Sequence, residues 1–271
     1  MTLKKISYFS SKTKEIISRI TGSNRKKRLK YDIQALQERN KKLLLRVERQ
    51  KEQIATLKTR VRTARVDERG IDPVMYNRPT SMDTFFKAEL ERSDSQRPYR
   101  EFAESLYRTL QRHGVDLADR HIFDAGLGNG EMLNSLTNGI STAGIEGMDF
   151  SAAGVERARR LMPSGTFRVG DLMNPIAGTF EVVLCTEVLE HIPDAATALQ
   201  HVVGAIAPRG IGILTVPDGR IDFSNLHINF WSPESWKFFI SNNSDGCQVV
   251  FDSFRVRPTA IYENNLAIIR R

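Results

Sequence analysis

The chain has 271 residues, 40 Lys plus Arg against 32 Asp plus Glu, a formal net charge of +8 and 40% hydrophobic residues, which is material for a real core and too apolar for a disordered chain. Residues 1–66 hold 20 basic and 5 acidic residues, a net +15, whereas the remaining 20 basic and 27 acidic residues leave the rest at −7. This asymmetry argues against a basic globular domain for specific nucleic-acid binding. Two cysteines, Cys185 and Cys247, cannot form a disulfide framework, and no run approaches the ~18 apolar residues of a membrane-spanning helix.

The N-terminus has no uninterrupted apolar core of the secretory type, so the expected location is the cytoplasm. Residues 1–28 form a basic amphipathic segment. Leu3, Ile6, Ile16, Ile17 and Ile20 are its apolar members, Lys4, Lys5, Lys12, Lys14 and Arg19 surround them, and Arg25–Arg28 follow. Such a stretch can lie on the anionic inner membrane surface or remain a solvated tail.

Residues 29–66 carry a heptad repeat without Gly or Pro. Ile33, Asn40, Val47, Ile54 and Val61 fall at position a, and Leu29, Leu36, Leu43, Gln50 and Leu57 at d. β-branched residues at a with Leu at d favour a parallel two-stranded coiled coil, and a lone Asn at a fixes its register. A homo-oligomer is therefore expected, although Arg46 at g would face Lys51 at e of the other strand and oppose it. Gly70, Pro73, Pro79 and Pro98 mark residues 67–98 as a linker and lead-in that packs over the domain that follows.

Residues 99–271 change to short apolar runs alternating with helical stretches. Tyr99–His113 reads as a helix. His121–Ala125, Gly144–Asp149, Thr166–Gly170, Glu181–Glu187 and Gly210–Val216 read as strands, with helix-like segments between most of them. That alternation predicts an α/β, Rossmann-like sheet, mostly parallel, with its ligand at the carboxyl ends of the strands. Gln248–Phe254 and Asn265–Ile269 stand too close together for a crossover helix, so they are expected to pair antiparallel at one edge and bring the sheet to seven strands.

The first strand runs into Asp124-Ala125-Gly126-Leu127-Gly128-Asn129-Gly130, where three alternate glycines allow a tight turn and close backbone approach to a ligand. The second ends in Asp149, 19 residues beyond Gly130, at a position from which a carboxylate can hold a ribose diol. Asp171 follows the third strand, and Glu187, Glu190 and His191 follow the fourth. Any one of these could be a helix cap or a solvated loop residue, but acidic or imidazole groups at four successive strand ends suggest a site.

Through Asp124–Gly130, Gly147-Met148-Asp149-Phe150-Ser151, Gly170-Asp171-Leu172 and Glu187-Val188-Leu189-Glu190-His191-Ile192-Pro193-Asp194, the chain resembles the class I S-adenosylmethionine-dependent methyltransferases over roughly residues 95–271. The last block is most like the small-molecule branch that includes ubiquinone-pathway and sugar O-methyltransferases. The resemblance implies that Gly126, Gly128 and Gly130 pass beneath the methionine of S-adenosylmethionine. It further implies that Asp149 holds the ribose, Phe150 flanks the adenine and Asp171 bonds its amine. Asp124, Leu172 and Glu187 complete the expected cofactor-binding set. Leu127 stands where Cys is frequent, which leaves the turn unaffected. A nicotinamide-dependent oxidoreductase is the rival for this topology, but its turn has two residues between the second and third glycines, whereas one separates Gly128 from Gly130. Asp124 beside the turn also suits a sulfonium and an ammonium better than a pyrophosphate.

His191 is a candidate base for the acceptor, and equally a helix-capping residue. His227, in the loop after the fifth strand, is the second candidate, with Phe230 and Trp231 as acceptor contacts or as a packed aromatic cluster. Glu187, Glu190 and His191 could also gather a divalent metal, but three ligands so close in sequence are weak evidence, and no metal is assigned. The expected acceptor is a small molecule or a glycan hydroxyl. The alternative is an oligomeric scaffold that binds cofactor without turnover.

Overall fold

The computed structural model describes residues 31–39, 77–89, 96–222, 224, 226–256 and 263–271. The chain divides into two units, Met1–Ala64 and Arg65–Arg271. In the first, residues 31–39 are helical and mostly exposed. The rest of the expected coiled coil, all of the basic segment 1–28 and much of the lead-in 67–98 lie outside the described residues.

In the second unit, α1 (Pro79–Glu89) and α2 (Gln96–Arg112) precede β1 (His121–Ala125), α3 (Glu131–Thr137), β2 (Gly144–Asp149), α4 (Ala152–Leu161) and β3 (Thr166–Val169). There follow β4 (Phe180–Thr186), a 3-10 turn (Leu189–His191), α5 (Ala195–Gly204), β5 (Ile206–Pro217), α6 (Pro233–Asn243), β6 (Gln248–Phe254) and β7 (Asn264–Arg270). The seven strands form one sheet in the order β3-β2-β1-β4-β5-β7-β6. β1 to β5 run parallel, and β7 is antiparallel to both neighbours. The reversed strand therefore lies inside the edge pair, and β6 takes the rim. The short connection between β6 and β7 forces the reversal.

Parallel strands buried on both faces should read as continuous apolar runs, and Val182–Cys185 of β4 does so, whereas β2 and β3 nearer the rim carry polar residues. Alternate residues feed opposite cores. Phe123, Ala125, Val183, Cys185, Leu214 and Val216 pack with Leu199 and Val202 of α5 and Trp236 and Ile240 of α6. Ile122, Val182, Leu184 and Ile213 pack with Leu106 and Leu110 of α2, Leu133 of α3, and Val155 and Ala158 of α4. Each such fully buried aliphatic side chain contributes roughly 1.5–3 kcal/mol.

Helix starts follow local chemistry. The hydroxyl of Ser151 accepts from Gly154 N at 3.1 Å, Asp194 accepts from Thr197 N at 3.1 Å, and Ser232 precedes Pro233 at the start of α6. β1 leads to β2 on one side and has β4 on the other, so a crevice opens at their carboxyl ends. The turns after β1 and β4 face that crevice.

Candidate active site

The turn after β1 is tied to the end of β2, because Gly126 N and Leu127 N both donate to Met148 O, at 2.9 and 3.0 Å. Gly126 has φ 88°, and a Cβ there would lie 2.6 Å from Val188 Cγ2, so no side chain fits between the turns after β1 and β4. Gly128 N donates to Asp149 Oδ2 at 2.9 Å. Gly130 has φ 81°, and its missing side chain makes room for Ala158 of α4, whose Cβ would lie 2.8 Å away. Gly130 thus serves helix packing behind the turn.

Two carboxylates stand beside this turn. Asp149 accepts from Gly128 N and from Ser151 N (2.8 Å), yet burial pushes its pKa up to about 6. Asp124 is 1% exposed, and its Oδ1 has no partner among the described residues. Burial, reinforced by the charge of Asp149, pushes Asp124 up to about 8. A site that holds two carboxylates at this cost is prepared for a cation.

Beyond β4, Glu187 adopts φ 55° and accepts from Thr215 Oγ1 at 2.9 Å, and burial raises its pKa to about 7. Glu190 is 1% exposed, neither carboxyl oxygen has a partner among the described residues, and burial raises its pKa well above the usual range. Burial, followed by the neighbouring His227, lowers His191 to about 4, so its imidazole is neutral at pH 7. The rings of His191 and His227 meet edge to face, with centroids 4.7 Å apart. One donor atom from each of Glu190, His191 and His227 lies within 4.8 Å of the others, a spacing that can hold a divalent ion.

His227 reaches this cluster because its loop is fastened to the turn after β4. Ile228 N and Asn229 N both donate to Glu190 O, at 2.8 and 3.0 Å. The Asn229 amide donates to Leu189 O and Ile192 O, at 3.1 and 2.7 Å. Trp231 turns the other way and joins Trp236 and Phe239, at 5.6 and 4.9 Å between ring centroids. It packs there, whereas the Phe230 ring lies beside His227, with centroids 6.3 Å apart, so of the three expected acceptor contacts His227 and Phe230 stand at the cluster.

A cavity of about 340 Å3 lies at the crevice, with Met82, Phe86, Asp124, Gly126, Gly128, Thr186 and Glu187 in its wall. Met82 and Phe86 come from α1, part of the lead-in that the sequence places over the domain. Asn77 Nδ2 donates to Leu226 O at 2.8 Å, in the loop after β5. Asp83 accepts from Ala153 N at 3.0 Å and from the Ser151 hydroxyl at the start of α4, while Phe86 sits 3.2 Å from where a Gly128 Cβ would be. Residues 77–86 thus cross the strand ends like a strap. Neither Asn77 nor Asp83 carries a sequence signal of this role, since both bonds bridge about 70 residues or more. A larger groove, about 500 Å3, runs along α2 and α3 but has none of Gly126, Gly128, Asp149 or Glu187 in its wall.

The remaining expected residues are spread along the β2–β3 side. Phe150 is half-buried just beyond Asp149. Asp171 is exposed and accepts from Met173 N at 2.9 Å within its own loop. The Leu172 side chain is buried in the core, so only its backbone is available to a ligand.

Residues 123–214 match the family model described as a methyltransferase domain. The ubiquinone biosynthesis O-methyltransferase of Neisseria meningitidis serogroup A is 29% identical over 134 residues, 46% of this chain and 51% of that protein. Trans-aconitate 2-methyltransferase of Rhodopseudomonas palustris is 29% identical over 109 residues, 40% of this chain and 42% of its own. The chain therefore spans about half the length of the curated relatives it matches. The crystal structure of magnesium protoporphyrin IX methyltransferase from Synechocystis PCC 6803 with bound S-adenosylmethionine superposes with a TM-score of 0.56 at 18% identity. The match covers 74% of this chain and 99% of that one. The Arg65–Arg271 unit has the Rossmann-like fold of a methyltransferase.

Proposed function

We propose that this chain is an S-adenosylmethionine-dependent methyltransferase that methylates a hydroxyl of a small molecule or glycan. The carrying observation is that the glycine turn, the buried pair Asp124 and Asp149, and the imidazoles of His191 and His227 converge on the same sheet edge. The cofactor's ammonium and sulfonium suit the carboxylate side, and the ribose suits Asp149. The acceptor oxygen attacks the methyl carbon, the carbon–sulfur bond breaks, and its electron pair stays on sulfur as a neutral thioether. The hydroxyl proton passes to an imidazole, for which His191, neutral at pH 7, and His227 are the candidates. Holding three atoms in line accounts for most of the rate, and the strap at 77–86 helps by closing the crevice.

The test is calorimetry with S-adenosylhomocysteine, followed by transfer of radiolabelled methyl from S-adenosylmethionine into a cell extract. No binding to the intact chain, or unchanged binding by Asp149→Ala, overturns the cofactor assignment. Binding without transfer favours the scaffold alternative. An oxygen acceptor is supported by the O-methyltransferase relative.

The unpartnered Glu190 carboxyl favours a second reading of the acceptor side. There Glu190, His191 and His227 would hold a divalent ion, which would polarise the acceptor oxygen. Activity that survives exhaustive chelation rejects it.

The heptads at 29–66 support a parallel homodimer, and the basic segment 1–28 supports peripheral contact with an anionic inner membrane from the cytoplasm. No helix among the described residues is long and apolar enough to cross a membrane. Sedimentation of the full chain at moderate salt tests the dimer, and flotation with anionic vesicles tests the contact. A monomer or an absence of flotation rejects the respective idea.

A further inference from the structure

Asp222 lies in the loop after β5, and its Oδ2 is 2.5 Å from His227 Nδ1. Both side chains are largely enclosed, at 8% exposure for Asp222 and 14% for His227. A carboxylate can only accept, so a His227 ring with a single proton holds it on Nδ1 and leaves the lone pair on Nε2. The opposite tautomer would set a lone pair against a buried carboxylate. The other Asp222 oxygen accepts from Ser224 N at 3.0 Å, which fixes the carboxyl plane. His227 is fixed as well, because Ile228 and Asn229 fasten its loop to Glu190 O and the ring meets the edge of His191. Among the described residues, Glu187, Glu190 and His191 are titratable groups that feel the charge of Asp222.

We infer that Asp222 is a positioning residue of the methyl-transfer site, which locks His227 in the Nδ1–H tautomer and so presents Nε2 as the working nitrogen. The inference rests on the methyltransferase reading above and adds the residue that orients its imidazole. It holds whether Nε2 takes the acceptor's proton or binds an ion, since both tasks need a lone pair on that atom.

Asp222→Asn tests it with little change in shape. The amide oxygen can still accept from Ser224 N, while the amide nitrogen becomes a donor facing Nδ1 and favours the opposite tautomer. The readout that needs no acceptor is nitrogen NMR of the full chain labelled in its histidines, recorded at pH 8, with His227→Ala to assign the signal. The expected result is Nδ1–H in the wild type and Nε2–H in Asp222→Asn. An Nε2–H or doubly protonated His227 in the wild type overturns the inference. Radiolabelled methyl transfer into the cell extract should fall by ~10²-fold or more in Asp222→Asn. Asp222→Glu should recover part of it, and affinity for S-adenosylhomocysteine should stay within about twofold. Wild-type transfer by Asp222→Asn also overturns it. Absence of transfer by the wild type would count against the methyltransferase reading alone, and the tautomer would still decide the role of Asp222.

Discussion

Asp124 gives the cofactor side its sharpest test. In the free protein its carboxyl is buried, without a partner at Oδ1 among the described residues and raised to about 8, so at pH 7 about nine-tenths of it is protonated. A bound sulfonium and ammonium would hold it ionised. Binding must then remove a proton, and affinity rises with pH until the free carboxyl is already ionised. For a pKa of about 8 the change between pH 6 and pH 9 is ~100-fold, or about 2.7 kcal/mol. Asp149, at about 6, adds to the lower end of the same slope. The cofactor's own amine titrates near pH ~8 and bends the curve the other way, so the quantity to measure is the ratio of wild-type to Asp124→Asn affinity for S-adenosylmethionine at each pH. That ratio should climb by one to two powers of ten across the window in calorimetry or equilibrium dialysis. A ratio constant within about twofold refutes the reasoning. The free protein carries the linked effect. With its folded-state pKa raised above the unfolded value, Asp124 stabilises the fold while protonated, and that contribution is lost as pH rises from about 4 through 8. Asp124→Asn should flatten that part of the stability curve.

Three other substitutions probe the frame around the site. Gly130→Val must adopt φ 81° and place a Cβ 2.8 Å from that of Ala158, so urea unfolding should show a loss of about 3 kcal/mol. Asp83→Ala removes the acceptor for Ala153 N and the Ser151 hydroxyl, and should speed hydrogen exchange in residues 79–89 while leaving exchange in β1 and β4 unchanged. Trp236→Ala empties a position 1% exposed beneath α6 and should cost about 3–5 kcal/mol by the same unfolding measurement.

The sheet was legible because central parallel strands buried on two faces leave short apolar runs, as in Val182–Cys185 and Gly210–Leu214. The place of β7 was less so, since two short strands announce a reversal without saying which of them takes the rim. The turn at Gly126–Gly130 was readable from spacing, but Gly130's task against Ala158 depends on α4 and could not be. The acidic strand ends also showed in the sequence, because the carboxyl edge gathers them regardless of loop detail. Asn77, Asp83 and Asp222 did not. Asn77 and Asp83 act across long separations, and Asp222 lies in a polar loop where an Asp is unremarkable. For Trp231 the sequence left two readings, acceptor contact or packed aromatic cluster, and its rings meet those of Trp236 and Phe239.

The fastening of the loop after β5 has a consequence for how such a domain can change its preference. Ile228 and Asn229 are held to Glu190 through main-chain atoms, which every non-proline residue supplies. The side chains at 226 and 228 are therefore spectators of the anchoring. They can be exchanged for larger, smaller or differently charged groups while the imidazole at 227 keeps its station. The station of His227 is thus written in backbone amides, the Asn229 amide and the Asp222 carboxyl, and not in the side chains at 226 and 228. A lineage could rewrite those two positions many times while Asp222 and Asn229 keep the imidazole in place.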